Sequence, residues 1–176
     1  MDEHQALAQL RQGDIGGLES LVALYQVKAV RTAYLITRDR ALAEDIAQNA
    51  FVRVHERIHQ YDPDRPFEPW FFRAIINDAV KAATRRQRQV SIDAPLEGSD
   101  LSLADILVDP TPDPADEFER QEIQRIVWEA MGKLTPKQRA VAVLRYYLGY
   151  GESELADAGV AARCNRANVA RMTEFG

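Results

Sequence analysis

PWFFRAIINDAVKAATRRQR, residues 69–88, has two opposed characters at helical spacing. Phe71, Ala74, Ile75, Ala79 and Ala82 fall on one face, and Trp70, Arg73, Asn77, Lys81, Thr84, Arg85 and Arg88 fall on another. Pro69 suits the first turn of such a helix, where its missing N–H is unpaired in any case. One face packs; the other presents cations, an amide and a large aromatic. Lys and Arg neutralise phosphates. An Asn amide reads a base edge. An aromatic at the helix start stacks on, or wedges beside, an unpaired base. The plain alternative is a solvated amphipathic helix with Trp70 in the core. The cations gathered in ATRRQR, residues 83–88, leave the two readings evenly matched on this helix alone.

Working outward, the preceding stretch YDPDRPFEP (61–69) interrupts the helical pattern with three prolines. Before it, Asp39 opens a helix to about His59. Its Ala43, Ile46, Ala47, Ala50, Phe51, Val54 and Ile58 recur at i, i+3, i+4. Its outer face carries Glu44, Asp45, Gln48, Asn49, Arg53 and Glu56, which alone reads as a solvated surface. Two earlier helices are expected over Gly17–Ile36, with Leu18, Leu21, Val22, Tyr25, Ala29 and Ala33 in one stripe, and over Glu3–Gln12, stopped by Gly13.

After residue 89 the composition changes. Residues 90–119 hold nine Asp or Glu, four prolines and no Lys or Arg, which predicts an acidic, mostly unstructured linker with a short turn around Leu103–Leu107. Periodicity resumes with Ile123, Ile126, Val127, Ala130, Met131 and Leu134. Thr135-Pro136 is an N-cap followed by proline at the first helical position, opening a helix over Lys137–Leu148 that ends near Gly149 and Gly151. ESELADAG (152–159) predicts a short helix, and a last one falls within Asn165–Glu174. The pattern LTPKQRAVAVLRYYLGYGESELA (134–156) reads as the opening of a helix-turn-helix unit, or of any three-helix bundle. Strand signals are scarce. The expected fold is all-α, with two small helical domains (1–89 and 120–176) joined by the linker 90–119.

Composition narrows the function. The 176 residues are 46% hydrophobic and 28% charged, a soluble globular profile. No apolar run nears the ~20 residues that span a bilayer, and the acidic start MDEHQALAQL lacks a signal pattern. One cysteine, Cys164, allows no internal disulfide, which fits a reducing compartment. With His4, His55 and His59 it offers no metal-ligand spacing. No phosphate loop, nucleophile elbow or zinc-protease motif occurs. The expectation is a cytoplasmic protein that is not an enzyme, with no cofactor, no metal and no membrane insertion. A net charge of −5 argues against nucleic acid only until the segregation of that charge along the chain is seen.

Three stretches together resemble extracytoplasmic-function sigma factors of bacterial RNA polymerase. LVALYQVKAVRTAYLITRDRALAEDIAQNAFVRVHERI (21–58) is similar to the start of sigma domain two. YDPDRPFEPWFFRAIINDAVKAATRRQR (61–88) is similar to its promoter-melting, minus-ten-reading end. EIQRIVWEAMGKLTPKQRAVAVLRYYLGYGESELA (122–156) is similar to the start of sigma domain four. The resemblance implies a promoter-specificity subunit that binds core polymerase and promoter DNA. Asp45, Gln48, Asn49 and Arg53 would then meet the clamp of the largest polymerase subunit. The loop Tyr61–Glu68 and the helix after it would capture an unpaired minus-ten base, with Trp70, Arg73, Asn77, Lys81, Arg85, Arg86 and Arg88 on the DNA. The acidic linker would follow the basic RNA-exit path, and an anti-sigma factor is an implied partner.

After Ala156 the text DAGVAARCNRANVARMTEFG departs from the family pattern. Two registers fit. Gly159-Val160 is the turn before a helix over Ala161–Met172, or Asn165 caps a later helix with Arg166, Asn168 and Arg171 toward DNA. Arg163 belongs to the same minus-thirty-five candidate set. Two other classes share parts of the pattern: a helix-turn-helix regulator acting without polymerase, and a helical module that binds polymerase or a sigma antagonist. The basic stripe beside an aromatic favours the first reading, since neither alternative needs it. A tail of about ten helical residues with few apolar anchors is marginal without tertiary packing. In hydrogen exchange, amides from Ala161 onward should be much less protected than those of Val141–Leu148; equal protection would show a firmly packed recognition helix.

Overall fold

The computed structural model describes residues 2–90 and 114–151, side chains excepted at 90 and 114–121. Among the described residues every regular element is helical. They are α1 (Glu3–Arg11), α2 (Gly16–Thr37), α3 (Arg40–Arg57) with a 3-10 turn at Ile58–Gln60, α4 (Phe67–Val90), α5 (Pro114–Lys133) and α6 (Pro136–Ala142). The last widens into a π turn over Val143–Tyr147. The all-α expectation holds, and α1 to α4 lie close to where the apolar spacing placed them. The expected Leu103–Leu107 turn and the helices after residue 151 lie outside the described residues.

Helix α2 is the axis, packed by α1, α3 and α4. Small residues let these helices approach: Ala29 and Ala33 of α2, Ala43, Ala47 and Ala50 of α3 and Ala79 of α4 are all buried. At Gly17 the approach of α1 is closest, and a β-carbon there would run into the Ala6 carbonyl oxygen. Larger side chains fill the space between. Phe67, Phe71, Phe72, Ile75 and Ile76 of α4 are each 0–1% exposed. Full burial of each such side chain stabilises by ~1.5–3 kcal/mol. Phe71 stands 4.9 Å from Phe51 and stacks on Phe67 at 5.5 Å. Tyr61, Trp70 and Tyr25 extend this cluster. Two further links pin the edges: Lys28 of α2 pairs with Glu68, and the Tyr25 hydroxyl donates to Glu3 of α1.

The turn between α2 and α3 is built by three residues. Arg38 adopts a left-handed conformation (φ 58°) and donates its N–H to the Tyr34 carbonyl at 2.7 Å, closing α2. Asp39 then caps α3, its Oδ1 accepting from Leu42 N–H at 3.0 Å. Its other oxygen takes the guanidinium of Arg86 from α4. Thr37 Oγ1 accepts from the Asp39 N–H at 3.3 Å.

The second half departs from expectation in two places. Helix α5 starts at Pro114, inside the stretch read as linker to 119. Proline at a helix start outweighs its value as a breaker there, and the residues that follow are ordinary helix formers. Helix α6 has the expected Thr135 cap as a full capping box with Gln138. The helix read as regular to Leu148 instead opens at Val143–Tyr147, where Leu148 N–H reaches back to Val143 O at 2.9 Å. Gly149, at φ 75°, ends it as the sequence indicated.

Asp39 carries both a helix cap and a cross-helix ion pair that is partly exposed. Asp39→Ala should therefore cost ~1–2 kcal/mol, mostly from the cap, and Arg86→Ala less than ~1 kcal/mol. Urea unfolding of the single and double variants checks this. The double variant should be little worse than Asp39→Ala, because the two side chains share one interaction.

Candidate nucleic-acid and polymerase interface

The apolar stripe of α4 faces the core, so its other side is turned out. Arg73, Asn77, Lys81, Arg85 and Arg88 are all exposed, at successive turns of one helix. On α3 the apolar stripe likewise turns Asp45, Gln48 and Asn49 outward, beside an exposed Val52. The two outward faces meet along the α3–α4 seam. Arg53 sits on that seam, half-buried. Its guanidinium pairs with Asp78 of α4, and its Nε donates to the Asn49 carbonyl at 3.3 Å. Asp78 also lies 4.0 Å from Lys81.

The Arg53–Asp78 pair separates two clefts. One, of about 300 Å³, runs between Asn49, Ile46, Lys81 and Arg85. The other, of about 360 Å³, has Val54, Phe71 and Trp70 as its apolar wall, with Arg53, Arg57 and Arg73 at its rim. Gln60 and Asn77 also line it. Trp70 is half-buried, held by Tyr61 at 5.4 Å and Phe67 at 5.7 Å. It is therefore both a core residue and part of the cleft wall. The loop before α4 is folded back by the Tyr61 hydroxyl, which donates to the Arg65 carbonyl. Burial, with Glu3 and Asp62 nearby, raises the Tyr61 pKa above its ordinary value, so the phenol stays a donor.

An apolar wall, two amides and three guanidinium groups thus line one cleft, a set of groups able to stack on a base, hydrogen-bond its edge and neutralise phosphate. The structure thus brings Trp70, Arg73, Asn77 and Arg53 together at one cleft, and Lys81 and Arg85 at its neighbour. Arg88 is exposed near the end of α4, away from both clefts' linings. Arg86 is engaged with Asp39 and so serves the α2–α3 turn. Arg163, Arg166, Asn168 and Arg171 lie outside the described residues. Arg57 and Gln60 were not singled out from the sequence. Their signal was available: Arg57 is four residues beyond Arg53, hence on the same side of α3. No group of metal-ligating side chains gathers among the described residues, and none of their helices is long and apolar enough to cross a membrane.

Comparison with known proteins gives this arrangement a family. Residues 21–89 match the family described as sigma-70 region 2. CnrH of Cupriavidus metallidurans, an RNA polymerase sigma factor, is 31% identical over 151 residues, covering 85% of this chain and 78% of that protein. The ECF RNA polymerase sigma factor SigW of Bacillus subtilis is 28% identical over 141 residues, 80% of this chain and 75% of that protein. "Probable RNA polymerase sigma factor RfaY" of Xanthomonas campestris is 30% identical over 178 residues; the match covers 98% of this chain, which spans only 44% of that relative's length. The chain belongs to the RNA polymerase sigma factors, within the extracytoplasmic-function group. Its work is in transcription initiation, as a DNA-binding regulatory subunit rather than an enzyme.

The Arg53–Asp78 pair holds one cation of the larger cleft in an intramolecular contact. Asp78→Asn should release Arg53 toward phosphate and raise the salt slope of single-strand binding by about one unit. The pair is only partly buried, so stability should fall by less than ~1 kcal/mol. Titrating a single-stranded oligonucleotide at several salt concentrations checks this; an unchanged slope would place Arg53 out of reach of the backbone.

Proposed function

We propose that the α3–α4 unit performs both jobs of a sigma domain two, one on each side of its seam. The outer face of α3, with Asp45, Gln48 and Asn49, docks on the clamp of the largest polymerase subunit. The larger cleft takes an unpaired minus-ten base, and Lys81, Arg85 and Arg88 hold the strand that follows. The observation that carries this reading is the cleft itself: an apolar wall including Trp70 with three arginines at its rim, beside a stripe of exposed cations. A helix-turn-helix regulator acting alone would have no use for that cleft.

Residues 120–176 are assigned to the minus-thirty-five element, with Arg163, Arg166, Asn168 and Arg171 as its contacts, and residues 90–119 to the path between the two units. The protein acts in the cytoplasm, where the polymerase is, and an anti-sigma factor is its expected antagonist.

Run-off transcription with added core polymerase tests the assignment. Wild type should initiate at a cognate promoter. Asp45→Arg should weaken core binding by ~1–2 kcal/mol or more, about tenfold, with the free protein still folded. Lys81→Ala and Arg85→Ala should each lower the salt slope of promoter binding by about one unit without changing sequence preference. Asn77→Ala should change which minus-ten sequence is preferred. Full core binding by Asp45→Arg would remove α3 from the clamp, and unchanged preference in Asn77→Ala would remove that residue from the reading set.

A further inference from the structure

The stretch 61–66, between the 3-10 turn and α4, is organised around one side chain. Tyr61 is 6% exposed. Its ring meets Phe67 edge-on at 5.6 Å and Trp70 at 5.4 Å, and those two rings lie 5.7 Å from each other. Three rings in mutual contact leave the indole of Trp70 little freedom to turn. Gln60 lines the larger α3–α4 cleft, together with Trp70. Tyr61 instead lines a separate concavity of about 390 Å³, with Pro63 and with Leu7 and Arg11 of α1. The aromatic cluster therefore reaches the cleft through Trp70 and is braced from its other side by Tyr61.

The Tyr61 hydroxyl has a second task. It donates to the carbonyl of Arg65, four residues on. Inside that span Asp62 makes the turn. Its Oδ1 accepts from the Asp64 N–H at 3.1 Å and its carbonyl accepts from the Arg65 N–H at 3.1 Å. Its carboxylate also lies 3.5 Å from the Arg65 guanidinium. Pro66 biases Arg65 toward extended backbone, which limits the directions its carbonyl can face. Just beyond, Glu68 is tied to Lys28 of α2. The turn is thus held from within by Asp62, and what ties it to the core is the Tyr61 hydroxyl.

A buried phenol seeks an acceptor in any fold. Had the acceptor been a core carbonyl, the bond would serve stability alone. Here the acceptor belongs to Arg65, an exposed residue of the loop, so the bond orders the loop.

We propose that Tyr61 is a positioning residue for base selection: its ring fixes Trp70 in the cleft wall and its hydroxyl fixes residues 62–66, without itself touching the DNA. The consequence for selection rests on the assignment of the larger cleft to an unpaired minus-ten base; the ordering of the loop does not. A loop fixed in advance loses little further entropy when a base enters. It also offers one arrangement of groups to every base, so a base that does not match it is rejected more strongly.

Tyr61→Phe keeps the ring contacts and removes only the hydroxyl. Backbone amide relaxation by NMR on the free full chain reads Asp62, Asp64 and Arg65. Their order parameters should be about 0.85 in wild type and fall toward about 0.6 in Tyr61→Phe, with those of α2 and α3 unchanged. Binding of the reconstituted holoenzyme to forked promoter DNA, carrying the preferred or another unpaired minus-ten base, reads selection. The preference should fall about threefold to tenfold, the range that one hydrogen bond carries. The salt slope, which counts phosphate contacts, should stay as in wild type. Loss of folding would lower both. Asp62→Ala opens the same turn from within and leaves the hydroxyl in place. It should lower order and preference alike, and the double variant should add little to either. An ordered loop in Tyr61→Phe would overturn the proposal, whether or not the preference changes, and so would a loosened loop with the wild-type preference intact. A loosened loop in Tyr61→Phe, where even the wild-type holoenzyme shows no preference at that base, would uphold Tyr61 as the residue that orders the loop and remove the base from the cleft instead.

Discussion

The burial of one side of α4 governs the rest of the molecule. Phe67, Phe71, Phe72, Ile75, Ile76 and Ala79 fix the rotation of that helix about its axis, because turning it would expose several aromatic rings at once. With the rotation fixed, Arg73, Asn77, Lys81 and Arg85 must point outward, in a row, at the spacing of helical turns. The same cluster positions Trp70, which is held from behind by Tyr61 and Phe67 and presents its remaining surface to the cleft. A cationic stripe thus costs the fold little, since none of these charges is buried, and the Trp70 part of the cleft wall is packed in place by the core itself.

A second constraint acts at the turn Thr37–Arg38–Asp39. A non-glycine residue in the left-handed region is disfavoured, yet here it brings three consequences together. The backbone closes α2, Asp39 caps α3 and reaches Arg86 of α4, and the Arg38 side chain is delivered to Trp128. The domain-two helices and the later segment therefore meet at this turn, as well as where α6 packs on α2 and α4. Arg86 shows the balance between structure and function on α4: of the cations in ATRRQR, the one rotated toward α3 is the one engaged within the protein.

Much of this was legible in the sequence because it is local. The Asp39 and Thr135 caps, the prolines of YDPDRPFEP, the stop at Gly149 and the two faces of α4 all follow from residues within a few positions of each other. The polar face of α3 was legible too, but not its place beside α4. What escaped was long-range. The Arg86–Asp39 pair joins residues 47 apart in the chain. Burial of Phe72, Ile76 and Ala83 widens the apolar stripe of α4 beyond the narrow one first read, as further helices, α6 among them, pack on it. Arg57 and Gln60 enter the cleft only because the chain turns there into α4. The stack of Trp128 on Tyr34 has no sequence signature at all. The start of α5 at Pro114 was hidden by composition, since a proline in an acidic stretch reads equally as breaker or as first helical residue.

The central claim is that the cleft between α3 and α4 receives one unpaired promoter base. Fluorescence of 2-aminopurine, placed at the unpaired minus-ten position of a forked promoter DNA and bound by the reconstituted holoenzyme, tests it most directly. The account predicts strong quenching as the base stacks on the aromatic wall, and recovery of emission when Arg57 and Arg73 are both replaced by Ala. Emission equal to that of the free strand, or quenching indifferent to those arginines, would show that the base goes elsewhere.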